Sequence, residues 1–520
     1  MNSFIQRHQD KVIGQLNGFD RIRFRGTLRR LSYVRAMMSY LWDIQVLLKD
    51  FGGYADSVRR QICQATEQVA QATGRPLNYV SRPSLVKEDL VRSIALKDGI
   101  SQGLICILSA LEPCQSYEIY RDRVSKQIEL QSALRKCLHY YHYYLDPELG
   151  FLSIRLQTWL PMTMHICING REWLARQMDA AGIGYVRRDN CFVQIADVPR
   201  AQQLMDRQLH TNWPRLLDRL GGPVNPAHGA IFKDQSMPYY WSAQESEWAS
   251  DVMFHSAAAL SGLYPRLIHH GMTTLGSREV LRFLGRKLPA HGGINGHFAG
   301  DVVSDLAERP EGMRVKHRVK RNSIKMYNKQ SSVLRVETTV NDPADFKAYR
   351  AKEGDPEGAK QWRQLRRGVA DLYRRAEVCQ AANERYLESL ATVDQAERLG
   401  ELVEPLCQPV RWKKKRVRGL NPLSGQDARV LEAIARGEFL INGFRNRDLR
   451  GLLFGQPTDA AEKRRQSGQV TRTIRLLRAH GLIHKRPHTH RYVLSPAGHK
   501  AITALLAARQ ADTETLIRAA

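Results

Sequence analysis

Negative charge is what this 520-residue chain is short of: 52 Asp and Glu stand against 79 Lys and Arg, a formal net charge of +27. With a pI near 9.9, that deficit implies a polyanionic partner, most commonly nucleic acid. Long apolar runs are missing too. None approaches the ~20 residues that span a bilayer, so no membrane partner is expected. The opening MNSFIQRHQDKVIG has no apolar core, so it does not read as a secretory signal. Eight cysteines, at 63, 106, 114, 137, 167, 191, 379 and 407, form no CxxC pair. That spacing argues against a disulfide framework or zinc finger and fits buried free thiols in a reducing cytoplasm. There is no internal repeat and no low-complexity tract. The glycine-rich run HGGINGHFAGD, 291–301, lacks the Lys-Ser/Thr of a P-loop and the strand-glycine spacing of a dinucleotide site, so no cofactor is expected there.

What is present is an ordinary folding composition, 43% hydrophobic and 25% charged, long enough for three or four domains. The patterning predicts a multidomain α+β or α/β protein: a mixed-sheet body, helical segments and a C-terminal winged helix-turn-helix. Residues 1–125 read as α/β, with a short apolar segment RIRFRGTL, helices through LSYVRAMMSYLWDIQVLLKDFG and SVRRQICQATEQVAQATG, and a buried strand GLICILSAL ending at Glu112-Pro113. Residues 126–225 read as β-β-α-β-α, a small antiparallel sheet with helices on one face, as in ferredoxin-like and RRM-like modules. Residues 226–350 read as a mainly helical segment, then a hairpin from MRVKHRVKRNSIKMYN and SVLRVETTV. KEGDPEGAK is a polar linker, 351–410 is mainly helical, 411–422 is a basic linker, and 423–520 form the last domain.

That last domain carries the clearest signal. In FRNRDLRGLLFGQPTDAAEKRRQSGQVTRTIRLLRAHGLIHKRPHTHRYVLSP, Val470, Ile474 and Leu477 share one helical face. Arg465, Gly468, Arg472, Arg475 and Ala479 fall opposite. Small residues permit close approach, and arginine takes guanine bidentately in the major groove. Gly481 ends the helix, and LIHKR and HRYVL follow as a hairpin with a basic tip. Between Arg411 and Lys500 there are 21 Lys and Arg against 6 Asp and Glu, more than half of the whole surplus. This order resembles the winged helix-turn-helix of MarR-like transcription regulators. The resemblance implies that 466–480 is the recognition helix and 483–493 the wing. Arg465, Arg472 and Arg475 are then expected to read base edges. Arg464, Arg478, Lys485, Arg486, His488 and Arg491 are expected to hold phosphates, and Lys413, Lys414 and Lys415 to add sequence-independent attraction. Protein contact is the alternative use of such a domain.

A second constellation lies in NSIKMYNKQSSVLRVETTVN, 322–341. On one strand Lys325, Tyr327 and Lys329 share a face, on the next Arg335 and Glu337 do, and if the strands pair these side chains converge on one side of a sheet. The run resembles a segment of filamentous-phage and plasmid replication initiators, which nick DNA through a tyrosine. The resemblance implies Tyr327 and Glu337 as catalytic candidates, with Mg²⁺ or Mn²⁺ only in that case. The paired histidines of that superfamily are missing, and MHIC around His165 offers one. A cross-strand ion pair on a solvated sheet face is the structural alternative. His139 and His142 share a metal only if they sit on a helix. Asp20, Asp301, Asp305 and Glu337 are a further candidate acidic cluster, and Glu172 suits the first turn of a helix. The blocks NGREWLARQMDAAGI, NSIKMYNK and LRVETTVN resemble those of a group of bacterial proteins, a likeness that brings no activity with it. The expectation is a cytoplasmic double-stranded DNA-binding protein, a regulator or mobile-element-associated protein, for which a homodimer is one form open to it. A metal-dependent nickase or transposase-like enzyme and an RNA-binding protein are the alternatives.

Overall fold

The computed structural model describes residues 2–82, 85–124, 126–285, 302–309, 312–352, 355, 357–391, 393, 399–436, 439, 443–487 and 489–510. The fold is mixed α and β, with a large mixed sheet. The chain divides into two compact units that interleave in sequence: 1–12, 256–327 and 381–520 form the first, and 13–255 with 328–380 the second. Among the described residues no helix is long and apolar enough to cross a membrane.

The second unit is organised by its sheet. Its strands are β1 Val12–Leu28, β2 Leu77–Tyr79, β3 Gly103–Arg121, β4 Ile128–Asp146, β5 Gly150–Gln157 and β6 Met164–Asn169. The hairpin β7 Tyr185–Arg188 and β8 Cys191–Ile195 stands apart, and β9 Tyr239–Phe254 follows. With β13 Val333–Val340 the spatial order is β13-β9-β1-β6-β5-β4-β3-β2. Antiparallel pairing dominates, and β2 joins β3 in parallel. The period-2 alternation of β1 explains its place: Ile22 and Phe24 are buried, while Arg21, Arg23 and Arg25 face the other way. β13 is buried at every position, so the alternative of a solvated ion-pair face there does not hold.

Several expectations change. RIRFRGTL belongs to a 17-residue strand. β3 continues through Pro113 to Arg121; β2 covers only Ile107–Ser109, so beyond it β3 is an edge, where proline's missing N–H costs no ladder bond. The β-β-α-β-α region contributes to this one large sheet rather than to a small module. PYYWSAQESEW is not helical but opens β9, in keeping with the strand preference of its aromatics. KEGDPEGAK lies between two short strands, β14 Lys347–Arg350 and β15 Gln361–Gln364. Trp362, in the segment read as mainly helical, is instead on β15 and exposed against the Tyr349 ring at 5.7 Å. Among the described residues the α-helices of this segment are Leu372–Leu390 and Leu399–Cys407.

In the first unit β10 Val302–Arg309, β11 Gly312–Val319 and β12 Asn322–Lys329 form an antiparallel meander. MRVKHRVKRNSIKMYN is therefore two strands, turning at Lys320. Buried His317 bonds to Ser304 Oγ at 2.7 Å and Tyr386 OH at 3.3 Å.

The C-terminal part of the first unit has its own core. Leu406, Leu420, Leu431, Ile434, Phe444, Leu449, Val470, Ile474, Leu477, Ile483 and Ile502 are all buried in it. Its order is helix Gly425–Ile434, helix Asn446–Phe454, helix Ala460–Ala479, hairpin β18 Ile483–Lys485 with β19 Tyr492–Leu494, and helix Pro496–Gln510. Phe444 bridges to Tyr492 through two backbone bonds of 2.8 Å, adding one residue to the sheet edge. The basic run expected to be a linker is instead a hairpin, β16 Val410–Trp412 and β17 Lys415–Val417.

Candidate nucleic-acid interface

Local chemistry fixes helix Ala460–Ala479. Asp459 caps its start by accepting from the Glu462 N–H at 2.7 Å, and Glu462 reaches back to the Thr458 N–H at 2.8 Å. The helix therefore begins six residues before the expected start. It ends at His480, and Gly481 follows with φ 71°, a left-handed turn that glycine adopts without strain. Val470, Ile474 and Leu477 are buried as read, and Gln466 and Leu476 with them. Asn446 sets the approach of the preceding helix, donating to Ser467 O at 2.9 Å and Thr471 Oγ1 at 3.0 Å while accepting from Ser467 Oγ at 3.0 Å.

Opposite the buried stripe, Arg464, Arg465, Gly468, Thr471, Arg472 and Arg475 are exposed. Arg465 makes only a loose ion pair with Glu462, at 3.8 Å, and its side chain stays 73% exposed. Arg475 and Arg478 are placed differently from the rest. Their guanidinium carbons lie 6.0 and 5.3 Å from the Trp412 ring centre, and Arg478 is also 5.9 Å from Tyr492. Arg478 is half-buried between the two aromatics, one from each hairpin. Lys485 and Arg486 are exposed on the β18–β19 hairpin. Arg491 is not a free phosphate ligand: it is half-buried and donates to Gly443 O at 3.1 Å. His488 lies outside the described residues.

Lys413 and Lys414 are the two turn residues of the β16–β17 hairpin, with φ of 50° and 64°. Two successive left-handed residues make the tight hairpin turn that asparagine and glycine adopt most readily. Two lysines there hold both ammonium groups outward at some conformational cost. Lys413, Lys414 and Lys415 are exposed. The hairpin is anchored at Arg418, whose guanidinium forks onto Asp427 at 2.6 and 2.8 Å. Burial alone would raise the Asp427 pKa, but Arg418 and the Asn421 N–H outweigh it and hold it below the carboxylate range. Val410-Arg-Trp and Arg-Val417 around a Lys-Lys centre was the available signal, and the density of charge hid it.

The candidates Tyr327 and Glu337 fall in different units. Tyr327 is 9% exposed on β12, with the Lys325 ammonium 5.6 Å from its ring centre. Glu337 is 1% exposed on β13, opposite Ala249. Among the described residues no three His, Cys, Asp or Glu are placed to hold a metal ion. Of the proposed acidic cluster, Asp20 accepts from Arg335, Asp305 pairs with Arg314, and Asp301 lies outside the described residues, among which no such metal-holding group is found. His139 and His142 sit on β4 and point to opposite faces. All eight cysteines are free; Cys407 is exposed rather than buried.

What the second unit does contain is a buried ion network that sequence reasoning missed. Arg335 forks onto Asp251 at 2.5 and 2.8 Å and reaches Asp20 at 2.9 Å. Arg171, wholly buried at the start of helix Gly170–Ala180, donates to the same Asp251 at 2.8 Å. Asn190 joins Asp20 at 2.9 Å and gives its carbonyl to Arg335 at 3.0 Å. Charges set inside largely apolar strand runs, FDRIRF, SDVMF and VLRV, were the signal the sequence carried. Glu172 is tied to Arg187 at 2.7 Å.

Comparison with protein-family models, curated proteins and solved structures finds no match to this chain.

Proposed function

We propose that this chain is a double-stranded DNA-binding protein, a regulator or mobile-element-associated protein of a reducing cytoplasm, whose residues 423–510 act as a MarR-like winged helix. One observation carries the reading. Helix Ala460–Ala479 buries Val470, Ile474 and Leu477 and presents an exposed arginine face, with a basic hairpin at either side. An α-helix fits the major groove, and its N-terminal half is what usually meets base edges. Base reading therefore centres on Arg464, Arg465, Gly468 and Arg472. Arg475 and Arg478 stiffen the junction with Trp412 and Tyr492. Lys485, Arg486, Lys413, Lys414 and Lys415 hold phosphates.

The test is selection of a preferred duplex from random sequence, followed by binding of Arg472→Ala to that duplex and to a random one. The substitution is expected to cost about 1–3 kcal/mol on the selected site and little on the random one. Equal loss on both removes Arg472 from the reading set. No duplex binding at low ionic strength overturns the proposal.

A further inference from the structure

A second cationic site lies in the second unit, far in sequence from the arginine helix. Arg25 on β1, His165 on β6, Arg155 on β5 and Tyr141 on β4 are successive Cα partners across four neighbouring strands. Paired residues share a face, and strands are spaced ~4.8 Å apart, so the four side chains stand in one row about 14 Å long. His139 is two residues from Tyr141 on that face, and exposed Arg23 is two from Arg25. The opposite face of these strands is apolar, with Phe24, Ile166 and Ile154 buried in line.

The carboxylates around the row are already engaged. Glu112, at the β3 end, accepts from Lys87 at 2.8 Å, Tyr141 at 2.5 Å and Arg155 at 3.3 Å, and Glu245 and Glu247 pair with Arg21, four residues along β1 from Arg25. Arg25 has no acidic partner among the described residues. Burial, with the like charges of Arg155 and Arg367, lowers its pKa from the usual guanidinium value. Four buried polar atoms of the row, Arg25 Nε, Arg155 Nε, His139 Nε2 and His165 Nδ1, find no hydrogen-bond partner among the described residues. An unmade buried bond is costly, and four of them fall on this one patch. Burial first, then the charge of Arg155, holds His165 neutral with a pKa of about 3 and His139 at about 4. Neutral His165 can donate one bond without adding to the repulsion, whereas His139 already gives its N–H to Cys137 O at 3.0 Å.

We propose that this face is an oxyanion site that takes a phosphate group, gripped between Arg25 and Arg155 with His165 beneath it. Two guanidiniums and an imidazole offer more donors than the two oxygens of a carboxylate absorb, whereas a phosphate accepts from all three and neutralises both cations. Arg155 and His165 are half-buried and Arg23 is exposed, so the site opens to solvent. The group belongs either to a nucleic-acid strand or to a free nucleotide or phosphate. Duplex recognition by the C-terminal helix is not required.

The test uses the full chain with Arg25→Gln, Arg155→Gln and, as control, Arg472→Ala. Inorganic phosphate is titrated calorimetrically and by thermal shift against chloride at equal ionic strength. Wild type and Arg472→Ala are expected to bind phosphate and gain thermal stability. Arg25→Gln and Arg155→Gln are each expected to lose at least tenfold in affinity. In chloride alone Arg25→Gln is expected to be no less stable than wild type, because it relieves repulsion and breaks no ion pair. Competition by unphosphorylated dT6 assigns the site to strand backbone; competition only by 5′-phosphorylated nucleotide assigns it to a free phosphate ester. Absence of phosphate binding in wild type, an unchanged affinity in Arg25→Gln, or destabilisation of Arg25→Gln in chloride overturns the proposal. Failure of Arg472→Ala on duplex leaves this site untouched, so the two readings fail separately.

Discussion

The buried ion network makes a quantitative demand on Asp251. Both of its oxygens face guanidinium N–H groups: Oδ1 accepts from Arg335 Nε, and Oδ2 accepts from Nη2 of both Arg335 and Arg171. Asp251 is 1% exposed and both arginines are wholly buried. In Asp251→Asn either orientation of the amide turns an N–H₂ toward a guanidinium N–H, and two buried cations are left with Asp20. Removing one partner of a buried pair costs about 3–5 kcal/mol, and the three short bonds place this variant in that range. Urea unfolding followed by tryptophan fluorescence reads the effect cleanly, since seven of the eight tryptophans (all but Trp412) lie in the second unit. At ~2–4 °C per kcal/mol for a large domain, the melting temperature drops by about 6–20 °C. In an Arg335→Met background the same change is expected to cost about 1–3 kcal/mol less, because the disputed donor is gone. A loss below about 1 kcal/mol in the single variant refutes the idea that this network holds the sheet to helix Gly170–Ala180.

Other perturbations probe the remaining features. His142 is fully buried with neither ring nitrogen bonded among the described residues, and burial lowers its pKa to about 3. On unfolding, His142 takes up a proton near pH 6.5 that the fold refuses, so its share of the stability is full above that pH and is lost at about 1.4 kcal/mol per unit as pH falls toward 3. His142→Phe is expected to flatten that slope in urea titrations at pH 7.5 and 5; an unchanged slope sinks the assignment. A Cβ on Gly170 would meet Phe19 O at 1.8 Å, so Gly170→Ala is expected to destabilise by about 1–3 kcal/mol in the same assay, wild-type stability being the contrary result. Replacing Lys413-Lys414 by Asn-Gly suits the turn and removes two charges. It is expected to keep or raise thermal stability while flattening the log K against log salt slope for duplex by about 2, and an unchanged slope shows that the hairpin tip does not touch phosphate.

The C-terminal elements were legible because helix periodicity, caps and turn residues are local signals. Val470, Ile474 and Leu477 declared the inner face, and Gly481 the stop. Less was legible where a pairing partner decides. β9 reads ambiguously because Tyr239–Trp248 suit either a strand or a helix until β13 lies beside them. The network of Asp20, Arg171, Asp251 and Arg335 was invisible for a related reason: each charge looks like a solvated residue until strands hundreds of residues apart are brought together. The row through Arg25, His165, Arg155 and Tyr141 exists only through register, which one sequence does not supply. At 410–417 the error ran the other way, since five cations in eight residues suggested solvation and masked the apolar positions Val410, Trp412 and Val417.

The bond between Asp20 and Arg335 joins residues 315 apart. At ribosomal speeds of about 5–20 residues per second, Asp20 is made roughly 16 to 63 seconds before its guanidinium. For most of that interval the earliest strand lacks its β9 neighbour, and throughout it Asp20 lacks the closer of its two buried cations. A nascent chain of this topology depends on delay: whatever keeps β1 from sticking elsewhere, its three arginines included, does so before the native structure offers it a place.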